Sequence, residues 1–321
     1  MSVERSKNKI QILKDRSYML KKVRDYFFDN NVVEVDCPIL LKTCAIDRYI
    51  DVIEADLGNN SRGYLHTSPE YVMKRILSYY PLKNIYYLGH VFRQEEVGAY
   101  HNPEFTMIEW YRTDVAYEKF IEEIMDVIKL FLGNIKYESM SYRDAFKRFL
   151  KIDYLNTSED VLCNLIKNKI DITDEINKDD KTDLLQIIMS HLIEPLLGDG
   201  KITIIYDFPK EQAALSKLKM KEDNEMVGER FEFYFKGIEL ANGYHELTDH
   251  NEQKKRLIME NDRRKEMNKI QYPIDEKFIE ALQSKTMGDC HGVSVGFDRL
   301  MMLKHDKQMI DDVLILSWNN I

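Results

Sequence analysis

The sequence lacks the features that mark membrane, secreted and metal-stapled proteins. No apolar run approaches the ~20 residues that a membrane helix needs, and the opening MSVERSKNKI has no apolar core of a secretory leader. The four cysteines, Cys37, Cys44, Cys163 and Cys290, are scattered without CxxC spacing. They make neither a zinc site nor a disulfide framework and read as reduced thiols of a cytoplasmic protein. There is no basic surplus either: 55 acidic against 46 basic side chains give a formal charge of −9. The chain thus carries no electrostatic footprint for nucleic acid, and a protein or small-molecule partner is expected. No internal repeat or low-complexity linker divides the 321 residues, so a single domain over 1–321 is the simplest expectation.

What is present concentrates between Phe92 and Tyr111, FRQEEVGAYHNPEFTMIEWY. Asn84 to Phe92 and Phe105 to Arg112 read as two strands of a long antiparallel hairpin around a polar loop. A cation, a hydrogen-bond acceptor and an aromatic face within one hairpin can hold a nucleotide, and acids at its far end can hold a cationic substrate. Upstream, residues 10–30 have helical apolar spacing, and Val32 to Val35 alternate as a short strand before Pro38. Ser68-Pro69-Glu70 reads as a helix start, with Ser as cap and Pro in the first position, and the helix runs to about Tyr80. Helices are expected over Tyr117 to Leu132 and Met140 to Leu150. A polar, helix-rich insertion is expected on the periphery at about 156–197, with the charged tract Asn177 to Lys181. Strands follow at Ile202 to Asp207 and Arg230 to Phe235, then helices from Asp249 to about Asn268 and from Asp275 to Ser284. Gly292 to Phe297 reads as a strand, with Arg299 opening the next helix.

The 10–38 segment, Phe92 to Glu109 and GVSVGFDR at 292–299 resemble, in order, the three signatures of class II aminoacyl-tRNA synthetase catalytic domains. That resemblance spans nearly the whole chain. It implies an α+β fold, a mixed, mostly antiparallel sheet flanked by helices, and ATP as substrate with Mg²⁺. In such an adenylation site Arg93 would clamp the α-phosphate and the attacking carboxylate, and Glu95 beside Gln94 would accept from the adenine amino group. Phe105 would stack on one face of the base and Arg299 on the other. His101 and Asn102 would meet the outer phosphates or ribose, and Gly296 would admit the nucleotide close to the backbone. Arg93 and Arg299 are the catalytic candidates. Taken singly, Phe105 suits a core strand, Arg299 a surface ion pair and His101 an ordinary loop; their joint order supports the site.

A second set faces the substrate. GIELANGYHEL at 237–247 places Glu239 and Glu246 around Asn242. With Glu70, Glu109 and Tyr111 they make an acidic pocket suited to two amino groups. HE at 245–246 is not a zinc-protease motif, since position 249 is not His. TSPE at 67–70, HNPEFTMIEWY and GIELANGYHEL resemble lysyl-tRNA synthetases, and still more closely their shortened paralogues that act on elongation factor P. The resemblance implies that Ser68, Pro69, Glu70, Tyr111, Asn242 and Glu246 hold substrate, and that Glu239, with Leu240, lies near ATP and Mg²⁺.

Two departures from lysyl-tRNA synthetases matter. The first helix begins within the first two dozen residues, which leaves no room for an OB-fold anticodon-binding domain, so no tRNA partner is expected. Ser294 stands where the synthetases generally have Gly, so the pocket floor is altered, in keeping with an amino group moved to the β carbon. The implied reaction activates (R)-β-lysine with ATP and passes it to a lysine ε-amine of elongation factor P, in a homodimer. A truncated synthetase that activates α-lysine for tRNA, and a non-catalytic regulatory paralogue, are the alternatives.

Overall fold

The computed structural model describes residues 3–171, 180–284 and 286–321. The chain divides into two units, residues 1–134 with 246–321 and residues 135–245. Helix α1 (Val3–Asp29) opens the first unit. It buries Ile12, Met19, Val23 and Phe27 along one stripe, the helical spacing expected of these residues. Phe27 stacks on Tyr86 with ring centroids 4.3 Å apart and meets Trp110 edge-on. The helix stops at Asn31, whose φ of 54° suits asparagine. Strand β1 (Val33–Glu34) then pairs in parallel with β5 (Asn84–Phe92). Strands β2 (Leu40–Leu41), β3 (Glu54–Asp56) and β4 (Arg62–Leu65) form a separate small sheet in the order β2-β4-β3.

Helix α2 (Glu70–Tyr79) begins one residue later than a Ser68 cap would give. The Ser68 hydroxyl still accepts from the Glu70 amide at 3.0 Å. Strands β5 and β6 (Glu104–Thr113) form the expected long hairpin, in unbroken register from Asn84↔Arg112 to Phe92↔Glu104. Helix α3 (Tyr117–Leu132) has its expected bounds, with Phe120, Ile124, Ile128 and Phe131 buried and Gly133 ending it at φ 74°.

In the second unit, β7 (Tyr137–Ser141) takes Met140 out of the helix expected from 140 to 150. Ser141 caps α4 (Tyr142–Leu150), its hydroxyl accepting from the Asp144 amide, and so fixes the later start. The expected insertion supplies α5 (Glu159–Lys169) and α6 (Lys181–Ile188). Of its charged tract, positions 177–179 lie outside the described residues. The segment is not a polar appendage. Leu162 and Ile166, and Leu184 and Ile188, pack with Tyr142, Phe146, Ile205 and Phe208 in a hydrophobic core, because apolar residues four apart share one helix face. Strands β8 (Ile202–Pro209), β9 (Leu218–Met220), β10 (Met226–Phe235) and β11 (Ile238–His245) complete the unit. The order is β11-β10-β8-β7, with β9 also on β10. Strand β11 is an element that the sequence reading did not assign.

The chain returns to the first unit through α7 (His250–Glu266), capped by Asp249, and α8 (Glu276–Gln283), capped by Asp275. Strand β12 (Cys290–Gly296) pairs antiparallel with β6, and α9 (Phe297–Lys304) follows it directly. Helices and mostly antiparallel strands with one parallel pair in each unit make an α+β fold.

Candidate functional site

The β6–β12 ladder sets the first unit's site. It pairs Met107↔Gly296, Glu109↔Ser294 and Tyr111↔Gly292. Residues two apart on a strand, and residues directly opposite across a ladder, share one face. Phe105, Glu109 and Tyr111 therefore line up along β6, with the predicted Ser294 and Gly296 beside them.

At one end of this row stands an acidic group. Glu109 is buried and accepts from the Ser68 hydroxyl at 2.7 Å and the Tyr111 hydroxyl at 2.8 Å. Glu70 reaches in from the first turn of α2, while Pro69 is packed at its start. Glu246 is buried, with its amide donating to the Cys290 carbonyl at 2.8 Å. The structure thus brings Ser68, Glu70, Glu109, Tyr111 and Glu246 together as expected.

Lys74 was missed by the sequence reading. One helical turn after Glu70, it is fully buried; its ammonium pairs with Glu70 and stands 2.6 Å from Glu246 Oε2. The only signal for it in the sequence is the Glu70/Lys74 spacing of four on α2. Burial and the neighbouring Glu70 push the Glu109 carboxyl up to about 7, against its two hydrogen bonds and Lys74. Burial also pushes Glu246 up; Lys74 opposes this and Glu70 adds to it. Burial disfavours the Lys74 ammonium, but Glu246 and Glu70 outweigh it and hold the group above its usual range. Among the described residues Glu246 Oε1 has no hydrogen-bond partner.

Gly292 is a second residue whose role the sequence concealed. A Cβ there would lie 2.2 Å from Glu246 Oε1 and 2.3 Å from Tyr111 Cε1, so only glycine lets both side chains close on β12. At Gly296 a Cβ would be 3.5 Å or more from Arg299, an ordinary contact, and nothing in the protein itself demands glycine there.

The other end of the row is cationic. The Arg93 guanidinium lies 5.1 Å over the Phe105 ring and 3.5 Å from Glu96 Oε1. Its Nε is buried without a hydrogen-bond partner among the described residues. Arg299 reaches His101 at 2.8 Å, and His101 lies 4.0 Å from Glu96. Gln94 and Glu95 are exposed on the turn, Glu95 at φ 61°. The Asn102 amide is engaged by backbone at both ends, donating to Glu104 O at 2.7 Å and accepting from Trp318 N at 2.9 Å. That bonding makes it a shaper of the loop. Asp298, also unassigned beforehand, accepts from the Thr106 amide at 2.7 Å and pairs with Arg16, fastening the start of α9 to β6 and α1.

In the second unit Glu239 and Asn242 are half-buried on β11 and Leu240 is buried. Asn242 lies opposite Glu232 and accepts from Arg230 Nε at 3.3 Å. Arg230 binds Glu232 at 2.5 Å and stacks 4.6 Å over Phe208. Burial works against its charge, yet Glu232, Tyr244 and Glu239 hold it above its usual range.

The sequence model of the tRNA synthetases class II (D, K and N) matches residues 1–320. This chain belongs to that family. Among its relatives are proteins named elongation factor P–(R)-β-lysine ligase. That of Buchnera aphidicola from Schizaphis graminum is 39% identical over 96% of both chains. That of Actinobacillus succinogenes is 38% identical over 97% of this chain and 96% of its own. The Photorhabdus laumondii protein is 40% identical over 94% and 93%. Among the described residues no helix is long and apolar enough to cross a membrane.

Proposed function

We propose that this ATP-dependent ligase activates (R)-β-lysine as its adenylate and transfers it to a lysine ε-amine of elongation factor P. The relatives' names supply the substrate pair, and the acidic pocket carries the reading chemically. Two carboxylates, Glu70 and Glu246, pair with one buried ammonium, the buried Glu109 adds a third acid to the pocket, and among the described residues Glu246 Oε1 finds no donor. A substrate with two ammonium groups supplies the missing charge and hydrogen bonds.

In the first step the substrate carboxylate attacks the α-phosphorus of ATP, and the bond to the departing pyrophosphate breaks. Arg93, with its Nε unpartnered, offers a donor to the oxygens on which charge builds. Arg299 and His101 serve the outer phosphates, and Phe105 offers a face to the adenine, with Glu95 and Gln94 at its edge. Gly296 leaves room for the nucleotide beside β12, Asn102 holds the loop, and Leu240 is assigned to the nucleotide by family resemblance alone. Mg²⁺ would offset phosphate charge, and by family resemblance the half-buried Glu239, a carboxylate of the donor class that this ion takes, would hold it. In the second step the ε-amine attacks the acyl carbon, AMP leaves, and the amine loses a proton. An activated acyl group needs no protein nucleophile.

Elongation factor P, and not tRNA, is the acceptor in this reading, within the cytoplasm and in one catalytic domain. A homodimer is also part of it: Phe28 on α1 is 80% exposed, with Tyr18 on the same helix and Val33 on β1 exposed too, apolar surface that a second copy would cover. The test is incubation with ATP, (R)-β-lysine and elongation factor P, read by intact mass. Addition of one β-lysyl group, lost in a folded Arg93→Ala variant, is expected. Charging of tRNA with no mass change on the protein overturns the assignment.

A further inference from the structure

We propose that Lys74 is a positioning and specificity residue: a built-in counter-cation that holds Glu70 and Glu246 side by side and sets how much positive charge the substrate must bring. The proposal rests on the diamino-acid reading of the pocket and deepens it.

The geometry begins with helix α2. Glu70 and Lys74 are one turn apart, so both project to the same side, and the Lys74 ammonium pairs with Glu70. It also stands 2.6 Å from Glu246, which comes from a distant part of the chain. Lys74 is completely buried, and Glu246 is nearly so. A lysine with its head inside a protein is retained only where carboxylates hold it. Two carboxylates this close, without the ammonium, repel each other in a medium that screens poorly, and one would take up a proton. A protonated Glu246 gives up part of its acceptor capacity and its charge, and so its hold on an ammonium group.

Charge matching follows. Glu70, Glu109 and Glu246 against Lys74 leave two negative charges when all are ionised, the number that two substrate ammonium groups offset. A mono-amine leaves one uncompensated and is disfavoured. The charged or titratable groups that share this field are Glu70, Glu109 and Glu246, with the Tyr111 hydroxyl and the Cys290 thiol on β6 and β12 and, near Glu109, the Cys37 thiol and the Tyr87 hydroxyl of β5, both pushed up by burial. The first three set the charge. Burial pushes both Tyr111 and Cys290 up, so they stay neutral.

The experiment compares wild type, Lys74→Met, Lys74→Arg and the charge-balanced double variant Lys74→Met/Glu70→Gln. Pyrophosphate exchange gives KM for the diamino acid and for ATP across pH 6 to 9. ¹³C-carboxyl NMR follows Glu246 in the same proteins. In Lys74→Met we expect the diamino-acid KM to rise at least tenfold with the ATP KM unchanged. The acid limb of kcat/KM should move to higher pH, together with the Glu246 titration. Lys74→Arg should keep the wild-type limb. If Lys74→Met folds and neither the limb nor the Glu246 titration moves, the proposal is overturned. If Lys74→Met does not fold, the double variant decides: charge matching expects its Glu246 titration to stay near that of wild type, and a shift there of a full pH unit or more overturns the proposal. Wild type inactive with every lysine isomer would refute the functional reading, while the NMR shift would still judge Lys74.

Discussion

Gly292 lies directly across the β6–β12 ladder from Tyr111, and the space that its missing Cβ leaves is shared by the Tyr111 ring and the Glu246 carboxylate. Two side chains of the acidic pocket thus converge on one backbone position. Gly292→Ala forces both away, because its Cβ would lie 2.2 Å from Glu246 Oε1 and 2.3 Å from Tyr111 Cε1. Overpacking of this kind costs about 1–3 kcal/mol. The expected outcome is a folded protein with a lower unfolding midpoint and a diamino-acid KM raised at least tenfold. The ATP KM should be unchanged, since Arg93 and Arg299 do not touch Gly292. Equal loss on both substrates would contradict this division of the site.

The acidic pocket also predicts a pH dependence of stability. Burial holds the Glu109 carboxyl at about 7 in the folded chain, against an ordinary value of 4.5. The folded state therefore holds more protons than the unfolded state between these values, and stability falls as pH rises through that window. Glu246 is shifted in the same direction. At about 1.4 kcal/mol per unit, Glu109 alone contributes up to about 3 kcal/mol. Urea unfolding at pH 5 and pH 8 should show a smaller loss in Glu109→Gln than in wild type. An identical pH slope in the two proteins would mean that Glu109 ionises freely.

Elements with strong periodicity were legible in the sequence, and those fixed by distant partners were not. Tyr117–Leu132 could be read to the residue because Phe120, Ile124, Ile128 and Phe131 keep a helical stripe and Gly133 ends it. Strand β11 escaped because ELANGYH carries Glu239, Asn242, Gly243 and His245 in an order that does not alternate with apolar residues. Helix was expected in the 156–197 insertion, but its polar composition hid that Leu184 and Ile188 are core. In the candidate site, Arg93, Phe105, Glu109, Tyr111 and Glu246 were visible as residue types suited to ATP and amines. Lys74 and Gly292 were not, because their significance lies in Glu246, which chain folding alone brings to them.

Behind the nucleotide end, Arg264 is fully buried and holds a loop. It donates to the carbonyls of Asp47 and Ile50 at 2.7 and 3.0 Å, pairs with Asp51 at 2.7 Å, and lies 4.4 Å over the Tyr272 ring. Hydrogen bonds from Arg264 and Lys269 hold the Asp51 carboxyl below its ordinary range, against partial burial. The Asp51 carbonyl accepts from the Gln94 amide at 2.9 Å, next to Arg93. Arg264→Met strands these acceptors and should destabilise the protein by roughly 3–5 kcal/mol. In the protein that still folds at low temperature, the ATP KM should rise more than the amino-acid KM. A change below about 1 kcal/mol would show that the loop holds without the guanidinium.

Ser294 is half-buried across the ladder from Glu109 and on the same face. Its Cβ and hydroxyl project beside the carboxylate that accepts from Ser68 and Tyr111. Space at this point therefore affects where an amine can stand relative to the carboxyl that reacts. Removing the side chain by Ser294→Gly enlarges the pocket floor and gives an α-amino group room that the native pocket denies. The expected outcome is a ratio of kcat/KM for (R)-β-lysine over α-lysine that falls by about tenfold, equivalent to about 1.4 kcal/mol. The gain should appear in α-lysine, measured by pyrophosphate exchange with each isomer under the same conditions. A ratio that stays constant while both rates fall together would remove Ser294 from isomer selection and leave it a packing residue. Native protein that uses α-lysine as well as (R)-β-lysine would defeat the idea before the variant is made.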